Sequence, residues 1–169
     1  MQKVLRFCYW FILLFYVFLL VDTVFISRES LRSVNLIPFN SIKEFIMVDN
    51  GFGQVRIVDM NIWGNILMFV PAGIYIILHK KHRSIMKNLF IILLSSLAIE
   101  ATQFIFALGA LDIDDIILNV MGGFIGLAFY KMFEKLFKDE NRIRTAISIL
   151  SLIVGLPILV LTLLLFIAN

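Results

Sequence analysis

The 169-residue chain is 61% hydrophobic and only 16% charged, with 17 phenylalanines and a mean hydropathy of +0.98. That composition excludes an ordinary water-soluble domain, which needs more polar surface to cover its core, and points to an all-α integral membrane protein. The net charge of +3 does not indicate nucleic acid, because the basic residues lie between apolar stretches, where membrane topology puts them.

Five apolar stretches have the length a bilayer-spanning helix needs: residues 4–26, 61–79, 88–108, 115–136 and 145–168. They make one membrane domain over residues 1–169. The first carries Lys3 and Arg6 at its start, as a secretory signal would. Its apolar run is long and no small-residue cleavage site follows, so it is expected to stay as an anchor. Cys8 is the single cysteine, which rules out an intramolecular disulfide.

Segment 27–60 is the only long connection. Pro38 in "NLIPFN" disfavours helix at Ile37 and predicts a turn there. In "SIKEFIMV" (41–48), Ile42, Phe45 and Ile46 recur at i, i+3 and i+4. That spacing predicts a short amphipathic or re-entrant helix at the membrane surface. A folded flap over the helices is the competing reading. "DNGFG" (49–53) reads as a turn.

Lys and Arg set the orientation. Lys3, Arg6, Lys80, Lys81, Arg83, Lys87, Lys131, Lys135, Lys138, Arg142 and Arg144 lie on one side, and only Arg28, Arg32, Lys43 and Arg56 on the other. The richer side is expected inside, with the N-terminus inside and the C-terminus outside. Segments 27–60 and 109–114 then face outward. His79 and His82, in "HKKHR", read as interfacial anchors rather than metal ligands.

The spans carry polar groups, each of which needs an account. Asn61 and Asn65 share a face of span two. Ser96, Glu100 and Gln103 share a face of span three, and Asp115 and Asn119 one of span four. At about 1.5 Å per residue, Asn65 and Asn119 lie roughly 6 Å below the outer ends of their spans, Gln103 about 7 Å and Glu100 about 12 Å. One outward polar pocket is therefore expected, with Asp112, Asp114 and Asp115 at its rim. Glu100 must be neutral, paired or wetted, and Arg32 or Arg56 are candidates to reach it. The plainer reading leaves Asn, Gln and Ser as interhelical hydrogen-bonding groups, and Asp114 as the N-cap of span four. Gly122 and Gly126 form G-x-x-x-G, a close-packing face, and Pro71 is expected to kink span two.

Several chemistries fit these residues. Asp112, Asp114, Asp115, Asn119 and Glu100 are hard oxygen donors that suit Ca²⁺ or Mg²⁺. Their spacing matches no EF-hand, and no cofactor is expected. Glu100 or Asp115 would be the acid or base of an enzyme, but no nucleophile-base pair is visible and no catalytic residue is assigned. Ser95 and Ser96 lack a nearby histidine. Proton or ion transport through Glu100 is weakened by the absence of repeats and of a second buried charge. An outward cleft that takes the polar part of a lipid-linked molecule remains.

In "VNLIPFNSI", "NIWGNILMFVPAG", "IEATQF" and "DIDDIILNVMGGFIG" the chain resembles the VanZ-like family of bacterial membrane proteins. The four motifs stand in the family's order across about residues 28–130; the fifth span carries none of them. The resemblance implies a multi-pass protein of the bacterial plasma membrane, linked to resistance to teicoplanin and related glycopeptides. It implies a ligand-binding set of Asn35, Asn61, Asn65, Glu100, Gln103, Asp112, Asp114, Asp115 and Asn119, with Pro38 in the loop motif. Where the family commonly carries a basic or bulkier polar residue before the aspartates, this chain has "ALGAL" (107–111), so the resemblance implies a pocket that is either more negative or borrows Arg32 as a partner for the acids. The expected partners are membrane lipids or a lipid-linked cell-wall precursor, and the antibiotic itself. An enzyme that modifies such a lipid is the alternative, and a helper of cell-wall enzymes a third reading.

Overall fold

The computed structural model describes residues 2–26, 33–46, 60–79 and 84–168. In chain order it has α1 (Gln2–Val21), a π-helical turn (Asp22–Ile26), β1 (Val34–Asn35), α2 (Asn40–Ile46), α3 (Met60–His79), α4 (Ile85–Ile105), β2 (Leu111–Asp112), α5 (Ile113–Leu136) and α6 (Glu140–Ala168). Five of these helices are long and apolar enough to cross a membrane: Arg6–Phe25, Asn61–His79, Ile85–Ile105, Ile113–Leu136 and Glu140–Ala168. The all-α membrane class and the five spans stand as expected.

The boundaries differ in places. Span three begins and ends three residues earlier than hydropathy suggests. It stops in a C-terminal motif: Ala107 N–H donates to Phe104 O and Leu108 N–H to Gln103 O, at 3.3 and 2.8 Å. This pair of bonds satisfies the last carbonyls and needs a left-handed residue after the helix. Ala107 takes that conformation, at φ 57°. Span five starts earlier, at Glu140, because Asp139 accepts the Asn141 N–H at 3.2 Å as a cap. Helix α3 runs on through Pro71.

The chain divides into two compact units, residues 1–23 with 132–169, and residues 24–131. In the first, α1 packs along α6, with Gly155 of α6 against Ile12 of α1. The α6 stretch is buried at Ile143, Ile147 and Ser148, and its more apolar part, from residue 149 to 168, has no fully buried residue, as a helix that faces lipid over most of its surface does.

The second unit holds α2, α3, α4, most of α5 and the two strands. Its helices approach to backbone contact. A Cβ on Gly122 would fall on the carbonyl oxygen of Ile66, one on Gly126 on that of Val70, and one on Gly73 on that of Gly123. The G-x-x-x-G face is therefore the α3–α5 seam, as small residues at membrane interfaces predict. Gly123 meets the side chain of Ile92 of α4. At one end, β1 pairs in parallel with β2, Val34 with Leu111 and Asn35 with Asp112, so segment 33–46 is tied to the α4–α5 connection.

Candidate functional site

The site grows from the first turn of α5. Four backbone N–H groups at a helix start lack partners within the helix. Asp112 supplies one: its Oδ1 accepts the Asp114 N–H at 2.8 Å. The N-cap is therefore Asp112 and not Asp114, because β2 runs into the helix and leaves residue 112 as the last extended position.

Asp112 does more than cap. The same oxygen accepts from Asn35 Nδ2 at 3.0 Å, and Oδ2 from the Ser41 hydroxyl at 2.5 Å. Asn35 Nδ2 also lies 2.8 Å from Ser41 Oγ. The Asp112 N–H donates to Glu100 Oε2 at 3.0 Å. Asn35 Oδ1 takes the Ile37 N–H at 3.2 Å, which opens the turn before Pro38.

Asp114, freed from capping its own helix, caps another. Its Oδ1 accepts the Phe39 N–H at 2.5 Å and its Oδ2 the Ile42 N–H at 3.2 Å. These are the entry residue and third residue of α2, so a carboxylate from α5 holds the start of α2. Both Asp112 and Asp114 thus fasten segment 33–42 onto the end of the helices rather than stand open at a rim.

The third aspartate joins spans. Asp115 Oδ1 accepts from Asn65 Nδ2, linking α5 to α3. One turn further along, Asn119 Nδ2 donates to Ser96 Oγ at 2.9 Å, linking α5 to α4. Gln103 Nε2 donates to Val24 O at 2.8 Å, so α4 holds the chain that leaves α1. The polar faces of α3, α4 and α5 do meet at one end of the unit. Ser96, Glu100, Gln103, Asp114 and Asn119 are all buried, and Asn119, the most accessible of them, is 3% exposed.

Two buried oxygens in this cluster have no partner among the described residues: Gln103 Oε1 and Asn119 Oδ1. Val24 O can only accept, which fixes the Gln103 amide with Nε2 toward it and Oε1 left over. Turning the Asn119 amide around would only exchange which atom is unmatched against Ser96. Buried polar groups in native proteins nearly always have a partner. Among the described residues these two acceptors are left for a donor from water, a ligand or the undescribed segments.

Asn61 is exposed at the start of α3. Arg32, the expected partner of the acids, and Arg56 lie outside the described residues, as does His82. The backbone of Phe45 and Ile46 is helical, within α2, and residues 47 and 48 of the expected helix lie outside the described residues. His79 Nδ1 lies 2.9 Å from Tyr75 O. Among the described residues no three His, Cys, Asp or Glu side chains are placed to hold a metal ion.

Sequence reasoning did not single out Ser41, which the Asp112 carboxylate holds, or Asn88, buried and donating to Ser84 O at 2.9 Å. Ser41 follows a Pro turn and opens an amphipathic helix, a position where a hydroxyl commonly serves backbone or side-chain capping. That signal was available. Asn88 offers none, because its bond is local to the first turn of α4.

A family model described as VanZ/LLP1 matches residues 4–134, from α1 almost to the end of α5. Protein VanZ of Enterococcus faecium is 34% identical over 133 residues, covering 78% of this chain and 70% of that protein. No solved structure matches significantly.

Proposed function

The chain belongs to the VanZ/LLP1 family, and on that footing we propose that it lowers the susceptibility of a bacterial cell to teicoplanin-type lipoglycopeptides. It acts from the plasma membrane, with its N-terminus inside and the acid-rich end of α3, α4 and α5 outside. The distribution of Lys and Arg supports that orientation. The polar cluster at that end binds either a lipid-linked component of the envelope or the drug, and so reduces drug action at the surface.

The observation that carries this reading is the buried polar cluster itself. Glu100, Gln103, Ser96, Asp114 and Asn119 are withdrawn from solvent in a chain that is 61% hydrophobic. Ionisable and amide side chains are expensive inside a bilayer and are found there chiefly where they bind or relay something. The two unpartnered amide oxygens would accept from the hydroxyl or amide N–H groups that a sugar or peptide head group carries.

The test is expression in a teicoplanin-sensitive host, with susceptibility, labelled-drug binding to intact cells and membrane-lipid composition measured together. Raised resistance with altered drug binding and unchanged lipids is expected. A new or altered lipid in the expressing cells would replace the binding reading with an enzymatic one. Unchanged susceptibility would remove the resistance role.

A further inference from the structure

Segment 33–42 puts its polar side chains and its apolar ones to opposite uses. Asn35 and Ser41 point into Asp112, and the backbone of Phe39 and Ile42 into Asp114. Between them Leu36, Ile37 and Phe39 are 62%, 68% and 53% exposed. Three large apolar side chains in four residues thus stand away from the protein on a platform anchored by two carboxylates.

The turn that presents them is built at a disadvantage. Ile37–Pro38–Phe39–Asn40 closes with the Asn40 N–H donating to Ile37 O at 3.3 Å. Pro at the second position and a positive φ at the third define a type II turn, whose third position favours glycine or asparagine. Phe39 occupies it at φ 64°. A bulky residue there is an outlier that points to a use for its side chain. Among the described residues nothing covers most of that side chain, so its use lies outside them.

We propose that Leu36, Ile37 and Phe39 form a wedge embedded in the acyl chains of the bilayer, level with the start of α5. The occupant follows from position. The wedge is bonded to residues 112 and 114, at the first turn of a helix long and apolar enough to span, which places it at the membrane boundary. The end of α4, whose last turn leads into the same connection, carries Ile105 and Phe106 exposed in the same way. Exposed apolar side chains from both segments meet lipid at that height. The carboxylate anchors keep the wedge from swinging free. This inference needs only that the helices span; it does not depend on drug resistance.

The test uses the full chain with Cys8→Ser and a single cysteine introduced by Ile37→Cys, labelled with an environment-sensitive fluorophore. The labelled protein is reconstituted in phosphatidylethanolamine–phosphatidylglycerol vesicles. Leu161→Cys on the uncovered α6 surface serves as the lipid reference and Lys138→Cys, between α5 and α6, as the water reference. The label at 37 is expected to emit blue-shifted, to be quenched by lipids with a nitroxide high on the acyl chain, and to be quenched by aqueous iodide several-fold less than the label at 138. Adding Asp114→Asn is expected to raise iodide access at 37. Iodide quenching at 37 equal to that at 138 overturns the proposal. Shielding from both iodide and nitroxide lipid also overturns it, because the wedge is then covered by protein.

Discussion

Asp114 sits in the first turn of one helix and holds the backbone of another across a separation of 75 residues, through the N–H of Phe39. Backbone N–H groups at a helix start lack partners within the helix, and a carboxylate that accepts from them makes a charge-assisted bond. Asp114→Asn turns one acceptor into a donor facing a donor. It is expected to cost about 1–2 kcal/mol locally, read as faster amide exchange at residues 39 and 42 with α3 and α5 unaffected. Ala107 tests the opposite direction. It holds a left-handed conformation at the end of α4, which an L-residue adopts at a penalty of roughly 1–2 kcal/mol. Ala107→Gly removes that penalty and loses part of it to backbone entropy, so a net gain of up to about 1 kcal/mol is expected, measured as a rise in the thermal midpoint in detergent. Both residues show where the sequence was and was not legible. The three aspartates announced a special helix start, but which of them caps α5 depends on where β2 ends, a tertiary fact. Ala107 carried no signal, because helix ends of this kind are usually marked by glycine.

The five long helices could be read from hydropathy because length and apolar content alone define a span. The polar faces were also legible, since i, i+4 spacing puts Asn61 with Asn65 and Asp115 with Asn119 on common faces, and the bonds Asn65–Asp115 and Asn119–Ser96 join those faces. The two-residue strands could not be read, being too short for any alternation to register. Nor could the division of labour among the acids. The α3–α5 seam was legible as G-x-x-x-G on one side only; its partner surface is the backbone of residues 66 and 70, which no side-chain pattern marks. Gly122→Ala places a Cβ on the Ile66 carbonyl, so the helices must part. A loss of about 2–3 kcal/mol is expected, seen as a lower thermal midpoint. Gly64→Ala in the same unit is the control. Nothing lies within 4 Å of a Cβ there, and helix propensity alone predicts a gain of roughly 0.5–1 kcal/mol.

At the scale of the whole molecule, a chain built for lipid gathers its acids and amides at one end of α3, α4 and α5. Part of that cluster is spent on architecture: Asp112 and Asp114 fasten the loop, and Asn65 and Ser96 join helices. Among the described residues, what architecture does not use up are the two acceptors, Gln103 Oε1 and Asn119 Oδ1, about one helical turn from Glu100 along α4 and from Asp115 along α5. The proposed role in glycopeptide resistance is assigned to this cluster. The most direct measurement is teicoplanin susceptibility of a sensitive host that expresses the wild type, Glu100→Gln or Asp115→Asn at matched membrane levels. Protection by the wild type and its loss in both variants is the predicted result. Equal protection by all three would contradict the account, leaving these acids as packing groups and the resistance determinant elsewhere in the chain.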